Sequence, residues 1–388
     1  MRVALIYNLK KNVVPEPGAP PDALAEYDSE DTVQALENAI REGGHETVLL
    51  EGDETLLDTI RQVAPDVCFN IAEGLRGDAR EAQVPALLEM LGIPYTCSRV
   101  LAQAISLDKA VTKRLWRDAC LPTAPFQVFR RVDEPLDPLL IYPLFVKPLR
   151  EGTGKGINPG SVVHNEAALR RQLRWVLRSY GQPALVEEYL PGREFTVGLI
   201  GNGDGTAQRR RPDLYCQDGY HLFPVLEIDA GVGAGEGVYN AASKSYNPGE
   251  AGAPLYLCPA DIPDELEGTL KRLAITAFEA IGALDVARVD FRVGDDGKPY
   301  LLEINTLPGL NPVVSDLCIM ARAEGLPYDE LINEILELAL TRRGVEQVLV
   351  TGLGAEATVG RRLGVPATTS PLFQAAAVLD SVRTRDGL

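Results

Sequence analysis

Between Arg288 and Asn305 the chain reads Arg-Val-Asp-Phe-Arg-Val-Gly-Asp-Asp-Gly-Lys-Pro-Tyr-Leu-Leu-Glu-Ile-Asn. Two alternating runs flank the turn signal Asp296-Gly297, the signature of a β-hairpin. With Asp296-Gly297 as a two-residue loop, residue 295 pairs with 298 and Asp290 lies opposite Glu303. Side chains alternate along a strand, so Arg288 and Asp290 share a face, as do Glu303 and Asn305. Val289, Phe291, Leu302 and Ile304 then fill the other face. Two carboxylates, an amide oxygen and a guanidinium thus meet on one patch. An all-oxygen set of this kind suits Mg²⁺, particularly where substrate phosphates complete the coordination. A solvated hairpin face with an Arg–Asp surface pair accounts for the same residues, so the remaining elements must decide.

Several segments could position a phosphate near such a patch. Tyr142-Pro-Leu-Phe-Val-Lys147-Pro reads as a strand ending in lysine, whose ammonium can hold a phosphate as a point charge. Arg150-Glu-Gly-Thr-Gly-Lys-Gly156 follows it, a glycine loop whose N–H groups can approach phosphate oxygens, with Thr153 and Lys155 adding a hydroxyl and a charge. The loop lacks the GxxxxGK[ST] spacing and is not a Walker loop. Glu187 and Glu194 flank the Pro191-Gly192 break, a hinge between two lobes, while Glu188 reads as a solvated strand end. Gly231 to Gly252, which contains Lys244 and Tyr246, is a long stretch without periodicity, as lids often are.

The elements that must carry these residues are those of an α/β chain. Val3-Ala-Leu-Ile-Tyr, Val48-Leu-Leu and Asp66-Val-Cys-Phe-Asn-Ile are strands separated by a helix opened by Ser29 and by another near 55–63, which predicts a parallel sheet covered on both faces. Glu73 to Gln83 is a loop at the carboxyl end of a strand, where open sheets bind ligands. A second unit opens at Ser106-Leu-Asp-Lys109. Helices are expected over 166–180, 262–284 and 327–340, and residues 202–222, with Arg209-Arg-Arg211, read as a solvated loop.

Composition narrows the function classes. The 388 residues are enough for two or three domains, and 45% hydrophobic with 24% charged residues is a globular balance. A formal net charge of −17 argues against binding nucleic acid or anionic membranes, and no run approaches a membrane span. The apolar start is too short for a signal peptide. Six scattered cysteines without a CxxC pair indicate a cytoplasmic protein with neither zinc site nor disulfide framework. With only His45, His164 and His221 available, chemistry that relies on histidine is not expected.

In combination these motifs resemble the D-alanine–D-alanine ligase branch of the ATP-grasp ligases. The likeness rests on Leu91-Gly-Ile-Pro-Tyr, Leu107-Asp-Lys-Ala-Val-Thr-Lys-Arg-Leu, Phe145-Val-Lys-Pro-Leu-Arg-Glu-Gly, Leu185-Val-Glu-Glu-Tyr-Leu-Pro-Gly-Arg-Glu-Phe-Thr-Val and Arg288-Val-Asp-Phe with Leu-Leu-Glu-Ile-Asn-Thr-Leu-Pro-Gly. It implies an ATP-grasp fold with an N-terminal parallel-sheet domain (1–105), a central lobe (106–192) and a C-terminal lobe (193–342), followed by an extension (343–388). It also implies formation of an acyl phosphate from ATP and displacement of phosphate by an amine. Lys109, Lys147 and Thr153 would bind the nucleotide phosphates, Glu187 and the backbone at Glu188 and Leu190 the adenine, Glu194 the ribose, and Lys244 the γ-phosphate. Asp290, Glu303 and Asn305 would hold two Mg²⁺, with Arg288 on the acyl phosphate.

The substrate motifs depart from the family. Glu30 retains only the Glu-x-x-Val part of the GGxSxExxVS start; it could bind an α-ammonium, and an acidic first turn explains it as well. Glu73 replaces the histidine of the HGxxGEDG loop, Arg80 lies in that loop, and Ser315 is displaced from its usual offset. Altered pockets on an intact nucleotide machine imply amino-acid-like substrates other than two D-alanines, and relatives imply a homodimer. Authentic D-alanine–D-alanine ligation is the alternative within the class. A phosphotransferase of another substrate class and a non-catalytic nucleotide-binding protein are the alternatives outside it.

Overall fold

The computed structural model describes residues 1–15, 17–216, 218–229 and 254–342. The chain divides after Leu340, and everything below concerns the unit Met1–Leu340. Lys244 and the extension 343–388 lie outside the described residues.

The first strands are β1 (Arg2–Tyr7), β2 (Glu46–Glu51) and β3 (Val67–Asn70), joined by helices α1 (Glu30–Glu42) and α2 (Leu56–Val63). They form a parallel sheet in the order β2-β1-β3. Ser29 caps α1 by accepting from the Thr32 N–H at 3.2 Å. Alternate residues of β1 separate into two cores. Val3 and Leu5 pack with Val33, Leu36 and Ile40 of α1, whereas Ala4 and Ile6 pack with Leu56, Ile60, Val84 and Leu88. Both faces are therefore covered, as the strand–helix alternation implied.

Helix α3 (Gln83–Leu91) ends at Gly92, whose φ of +68° suits a residue without Cβ. Helix α4 (Val100–Leu107), absent from the sequence reading, follows; its buried Gln103 and Ser106 blur the apolar stripe that would have marked it. Asp108 then caps α5 (Lys109–Asp118), accepting from the N–H groups of Ala110 and Val111, and so fixes Lys109 as the first residue of that helix.

The second sheet contains β4 (Phe126–Phe129), β5 (Leu144–Pro148), β6 (Val162–Val163) and β7 (Ala184–Glu188) in the antiparallel order β4-β7-β5-β6, backed by α6 (Glu166–Tyr180). The third is antiparallel too. It comprises β8 (Glu194–Gly201), β9 (Tyr220–Leu222), β10 (Leu226–Asp229), β11 (Leu255–Leu257), β12 (Val286–Val293) and β13 (Pro299–Asn305), in the order β11-β10-β8-β12-β13 with β9 beside β8. Helix α8 (Asp264–Ala280) covers it.

The stretch expected to be a solvated loop carries α7 (Thr206–Arg210) and β9. Arg210 pairs with the buried Glu334 in the helical segment 328–340, and the Tyr215 hydroxyl donates to the same carboxylate at 2.6 Å. The arginine triplet thus serves tertiary packing. Helix α9 (Asp316–Ala323) completes the described elements that bear on the site.

Candidate active site

The hairpin forms, by a different route from the one expected. Gly294 and Lys298 close the turn through a 2.9 Å N–H···O bond, so the loop has three residues, Asp295 to Gly297, and Gly297 takes φ +74°. That register would pair Phe291 with Leu301 and Asp290 with Leu302. A bulge between Asp290 and Phe291 inserts one residue, and Asp290 faces Glu303 after all, with Arg288 opposite Asn305. The longer turn and the bulge cancel at the polar end. They do not cancel at Leu302, expected in the core. Leu301 takes the buried position, and Leu302 lines a cavity beside Glu303.

Strand β12 lies between β8 and β13, so its polar face is walled on both sides. Arg288 donates to both oxygens of Asp290 at 3.0 Å, and its other nitrogen reaches Asp316 at 2.9 Å. Thr196 on β8 donates to Asp290 at 2.6 Å, and the Asn305 amide donates to it at 3.0 Å. Lys109 binds the Glu303 carboxylate at 3.2 Å and the carbonyl of Glu151. The Arg–Asp pair is real, and it is buried rather than the exposed surface pair of the solvated alternative: Arg288 and Asp290 are 9% and 8% exposed. Thr196 and Asp316 had no motif to reveal them.

Two cavities meet at this face and share Lys109, Glu151, Arg288 and Glu303 in their walls. The first is lined by Lys147, Glu187, Leu190, Glu194, Asp290 and Leu302, among others, and encloses about 900 Å³ including its open mouth. Phe145, Ile157 and Ile228 make part of its wall apolar, while Lys147 and Lys155 bring ammonium groups. Glu187 bridges Lys147 and the fully buried Lys113, each at 2.7 Å. Burial by itself would raise the Glu187 pKa; the two ammonium groups outweigh it and hold the carboxyl at about 2. Burial likewise works against the charge of Lys147, and Glu187 with Glu303 reverses that, so its pKa is raised. Lys113 escaped the sequence reading although it lies one helical turn from Lys109. Glu194 faces Arg292 at 3.5 Å, and the Glu188 N–H is committed to the Pro125 carbonyl at 3.1 Å, which removes that donor from base recognition.

The glycine loop roofs both cavities: Gly154 and Lys155 face the first, Gly152 and Thr153 the second. Two of its glycine amides are already engaged. The Gly152 N–H donates to Glu26 at 2.7 Å and the Gly156 N–H to Asp22 at 2.8 Å. Lys155 binds Glu26 at 3.0 Å and Glu151 at 2.5 Å. A segment of the N-terminal loop therefore occupies two backbone donors and the lysine that the glycine spacing had assigned to phosphate.

The second cavity, about 840 Å³ with its mouth, is lined by Glu26, Asp28, Glu73, Glu81, Thr153 and Asn305 among others. Burial opposes the charge of Glu26, but Arg80 and Lys155 prevail and lower its pKa to about 2. Asp28, Glu73 and Glu81 form no ion pair among the described residues, and the pull of Arg80 on Glu73, and of Arg80 and Lys109 on Glu81, does not overcome burial. Burial raises Asp28 and Glu81 to about 7, and burial with the charges of Glu26 and Glu81 raises Glu73 well above the usual carboxylate range.

Three of the residues expected on the substrate side lie outside the two cavity walls. Glu30 does not line either cavity; it is an exposed residue paired with Lys11 at the surface, because the first turn of α1 points outward. Glu26 and Asp28, upstream of the cap, face inward instead. Arg80 stands behind the cavity wall, donating to Glu26 at 2.8 Å and to the Arg150 carbonyl at 2.9 Å. Ser315 accepts the Asn311 N–H at 2.9 Å and serves the turn before α9, while Leu307 to Leu310 supply the wall. Glu73 lines the second cavity.

Among the described residues no group of three or more His, Cys, Asp or Glu side chains is arranged to enclose a metal. The hairpin set has only two carboxylates and fits a cation that takes its remaining oxygens from elsewhere. Asp290 and Glu303 face each other across the strand pair, and a half-turn of the Asn305 amide exchanges its nitrogen for its oxygen. No described helix is long and apolar enough to cross a membrane.

Known proteins share this architecture. Residues 115–337 match the family model described as D-ala D-ala ligase C-terminus. A D-alanine–D-alanine ligase of Syntrophotalea carbinolica is 36% identical over 312 residues, covering 80% of this chain and 91% of its own. A protein of Sinorhizobium fredii described as uncharacterized is 37% identical over 312 residues, covering 78% and 86%. The crystal structure of D-alanine–D-alanine ligase from Bacillus anthracis superposes with a TM-score of 0.67 at 23% identity, covering 89% of this chain and 99% of the other; a second structure of that enzyme is described as complexed with ATP. The fold is thus ATP-grasp, mixed α/β with a parallel sheet at the N-terminus, and the chain belongs to the D-alanine–D-alanine ligase family of ligases.

Proposed function

We propose that the protein is an ATP-dependent carboxylate–amine ligase that joins two amino-acid-like substrates through an acyl phosphate and releases ADP and phosphate. One observation carries the reading: a lysine-lined cavity and a carboxyl-lined cavity meet at a shared wall of Lys109, Arg288 and Glu303. A phosphoryl donor in the first and a carboxylate acceptor in the second would come together there. In this reading the three sheets are the lobes expected at 1–105, 106–192 and 193–342.

The roles follow from where each group stands. A nucleotide base fits the apolar wall of Phe145, Leu190 and Ile228, and Glu194 suits ribose hydroxyls. Lys109 and Lys147 balance phosphate charge, and Glu187 keeps Lys147 protonated and in place. Asp290, Glu303 and Asn305 would hold Mg²⁺, two ions in the family pattern; when bound it neutralises charge between phosphate oxygens. Attack of a substrate carboxylate oxygen on the γ-phosphorus expels ADP. The amine of the second substrate, having lost its proton, then attacks the acyl carbon, and phosphate leaves. Arg288 at the shared wall stabilises the negative charge on the acyl phosphate and on the tetrahedral carbon that follows. No protein nucleophile is needed, because the work is positioning and charge balance. The clasp of Glu26 and Asp22 on the glycine loop helps to exclude water, which would otherwise hydrolyse the acyl phosphate.

Authentic D-alanine–D-alanine ligation is the second reading, favoured by the description of the Syntrophotalea carbinolica relative. Phosphate release measured over pairs of D- and L-amino acids, with products weighed by mass spectrometry, separates the two. Synthesis of D-alanyl-D-alanine in preference to every other product establishes the second. Absence of phosphate release with all pairs overturns both.

A further inference from the structure

The second cavity holds more carboxyl groups than an α-ammonium requires. Six carboxyl side chains line it, those of Glu26, Asp28, Glu73, Glu81, Glu151 and Glu303. Three of them are matched: Glu26 and Glu151 by Arg80 and Lys155, and Glu303 by Lys109. Arg288, the other cation in the wall, is engaged by Asp290 and Asp316. Among the described residues, no cation is paired with Asp28, Glu73 or Glu81.

Their positions are built rather than incidental. The backbone N–H of Asp28 donates to the Asn8 carbonyl at 3.0 Å, and its own carbonyl accepts from Lys10 at 3.0 Å. Asn8 also accepts the Gly74 N–H through its side chain at 3.1 Å, next to Glu73. Gly74 has φ +76°, and a Cβ there would lie 2.0 Å from the Arg80 carbonyl oxygen, so the loop folds tightly back on itself. Glu81 sits in the single 3-10 turn Arg80–Ala82 that closes this loop. Three separately anchored carboxyls therefore face one cavity, with no hydrogen-bond donor supplied to them by the described protein. Desolvation makes such groups costly unless a ligand completes them.

We infer that this cavity binds an amino-acid-like substrate carrying a second cationic group, of the diamino-acid class, with Asp28, Glu73 and Glu81 as the residues that select it. The inference rests on the ligase reading for the chemistry at the shared wall, and on the cavity alone for the selectivity. The charge logic agrees with the state of the carboxyls. Asp28 is shifted by burial, Glu81 and Glu73 by burial and by Glu26, Asp28 and Glu151 nearby, with Arg80 and Lys109 acting in the opposite sense. A bound ammonium draws these groups into the ionised form and their protons pass to solvent.

The test uses the full-length protein and two independent measurements. Calorimetric titrations at pH 7 with lysine, ornithine, 2,4-diaminobutyrate and alanine, each as D and L forms and in two buffers of different ionisation enthalpy, read binding without ATP. At least one diamino acid is expected to bind tenfold or more tightly than alanine, with release of protons. Equal or tighter binding of alanine, or binding of a diamino acid without proton release, overturns the inference. In the phosphate-release assay the ratio of kcat/KM for the preferred diamino acid to that for alanine is expected to fall about tenfold in Glu73→Gln and in Asp28→Asn. An unchanged ratio in both folded variants overturns it. Phosphate release that favours neutral amino acids would remove this inference and leave the ligase reading intact. No release with any pair would remove the ligase reading, while the titrations still judge the cavity.

Discussion

Replacing Glu187 by Gln removes the carboxylate that bridges two buried ammonium groups, and the structure fixes how large the effect should be. Glu187, Lys113 and Lys147 have side chains 3%, 0% and 8% exposed, so solvent screening does little to weaken their interactions. The shift of the Glu187 carboxyl from 4.5 to about 2 corresponds to roughly 3 kcal/mol favouring the ionised form in the folded state. Breaking a buried pair by removing one partner costs about 3–5 kcal/mol in general, which agrees. Glu187→Gln should therefore lower the unfolding free energy by roughly 3 kcal/mol at pH 7. Lys113→Met is the informative comparison. The cluster has two cations against one anion, and burial lowers the Lys113 pKa despite Glu187. Removing Lys113 leaves a balanced pair and should cost less than about 1.5 kcal/mol. Urea unfolding followed by the fluorescence of Trp116, buried on the same helix, measures both. The pH dependence gives a further check. A carboxyl with a depressed pKa contributes its full stabilisation above its unfolded value, so the gap between wild type and Glu187→Gln should shrink as pH falls from about 4.5 towards 2. A Glu187→Gln loss below 1 kcal/mol, or a Lys113→Met loss equal to it, would refute the charge arithmetic.

Other substitutions test the site. Asp290→Asn should reduce Mg²⁺-dependent turnover by about a hundredfold or more and, because Asp290 also holds the buried Arg288, should lower the unfolding free energy by up to about 3 kcal/mol; turnover near wild type in the folded variant would show that the hairpin does not hold the cation. Glu30→Gln, at the exposed end of α1, should leave kcat/KM within about twofold, whereas a loss of ten times or more would return Glu30 to the site. Asp28 titrates near 7 in the fold and near 3.8 unfolded, so the folded state binds the extra proton between these values. Without ligand, stability should fall by about 1.4 kcal/mol per pH unit through that window from this group, and Asp28→Asn should flatten the curve in urea unfolding at pH 4 to 7. A steeper wild-type rise with pH would contradict the unpaired carboxyl.

What the sequence made legible depended on the scale of the signal. Local periodicity and capping placed most helices and strands, because Ser29 and Gly92 act on neighbouring backbone. The facing of Asp290 and Glu303 was also legible, although a three-residue turn and a bulge had to cancel for the simple hairpin to give the right pair. Leu302 shows where that cancellation fails. Partners distant in sequence were not legible. Lys113 meets Glu187 across 74 residues and Glu26 meets Lys155 across 129. Neither contact leaves a local pattern, and the Glu26 contact turned a glycine loop that reads as a phosphate cradle into the seat of a carboxylate clasp. Glu30 matched a motif by spacing while Glu26 and Asp28, four and two residues further out, faced the cavity. Chain direction before the helix cap decided which carboxylates point inward.

In the proposed reaction ATP drives condensation of two amino-acid-like molecules at the shared wall. It is tested most directly by measuring phosphate and condensed product together, with ATP, Mg²⁺ and paired amino acids that include the diamino acids. The account predicts one phosphate released per amide formed, identified by a product mass equal to the two substrates less one water. Phosphate released without amide, a stable phosphorylated product, or no ADP with any pair would contradict it.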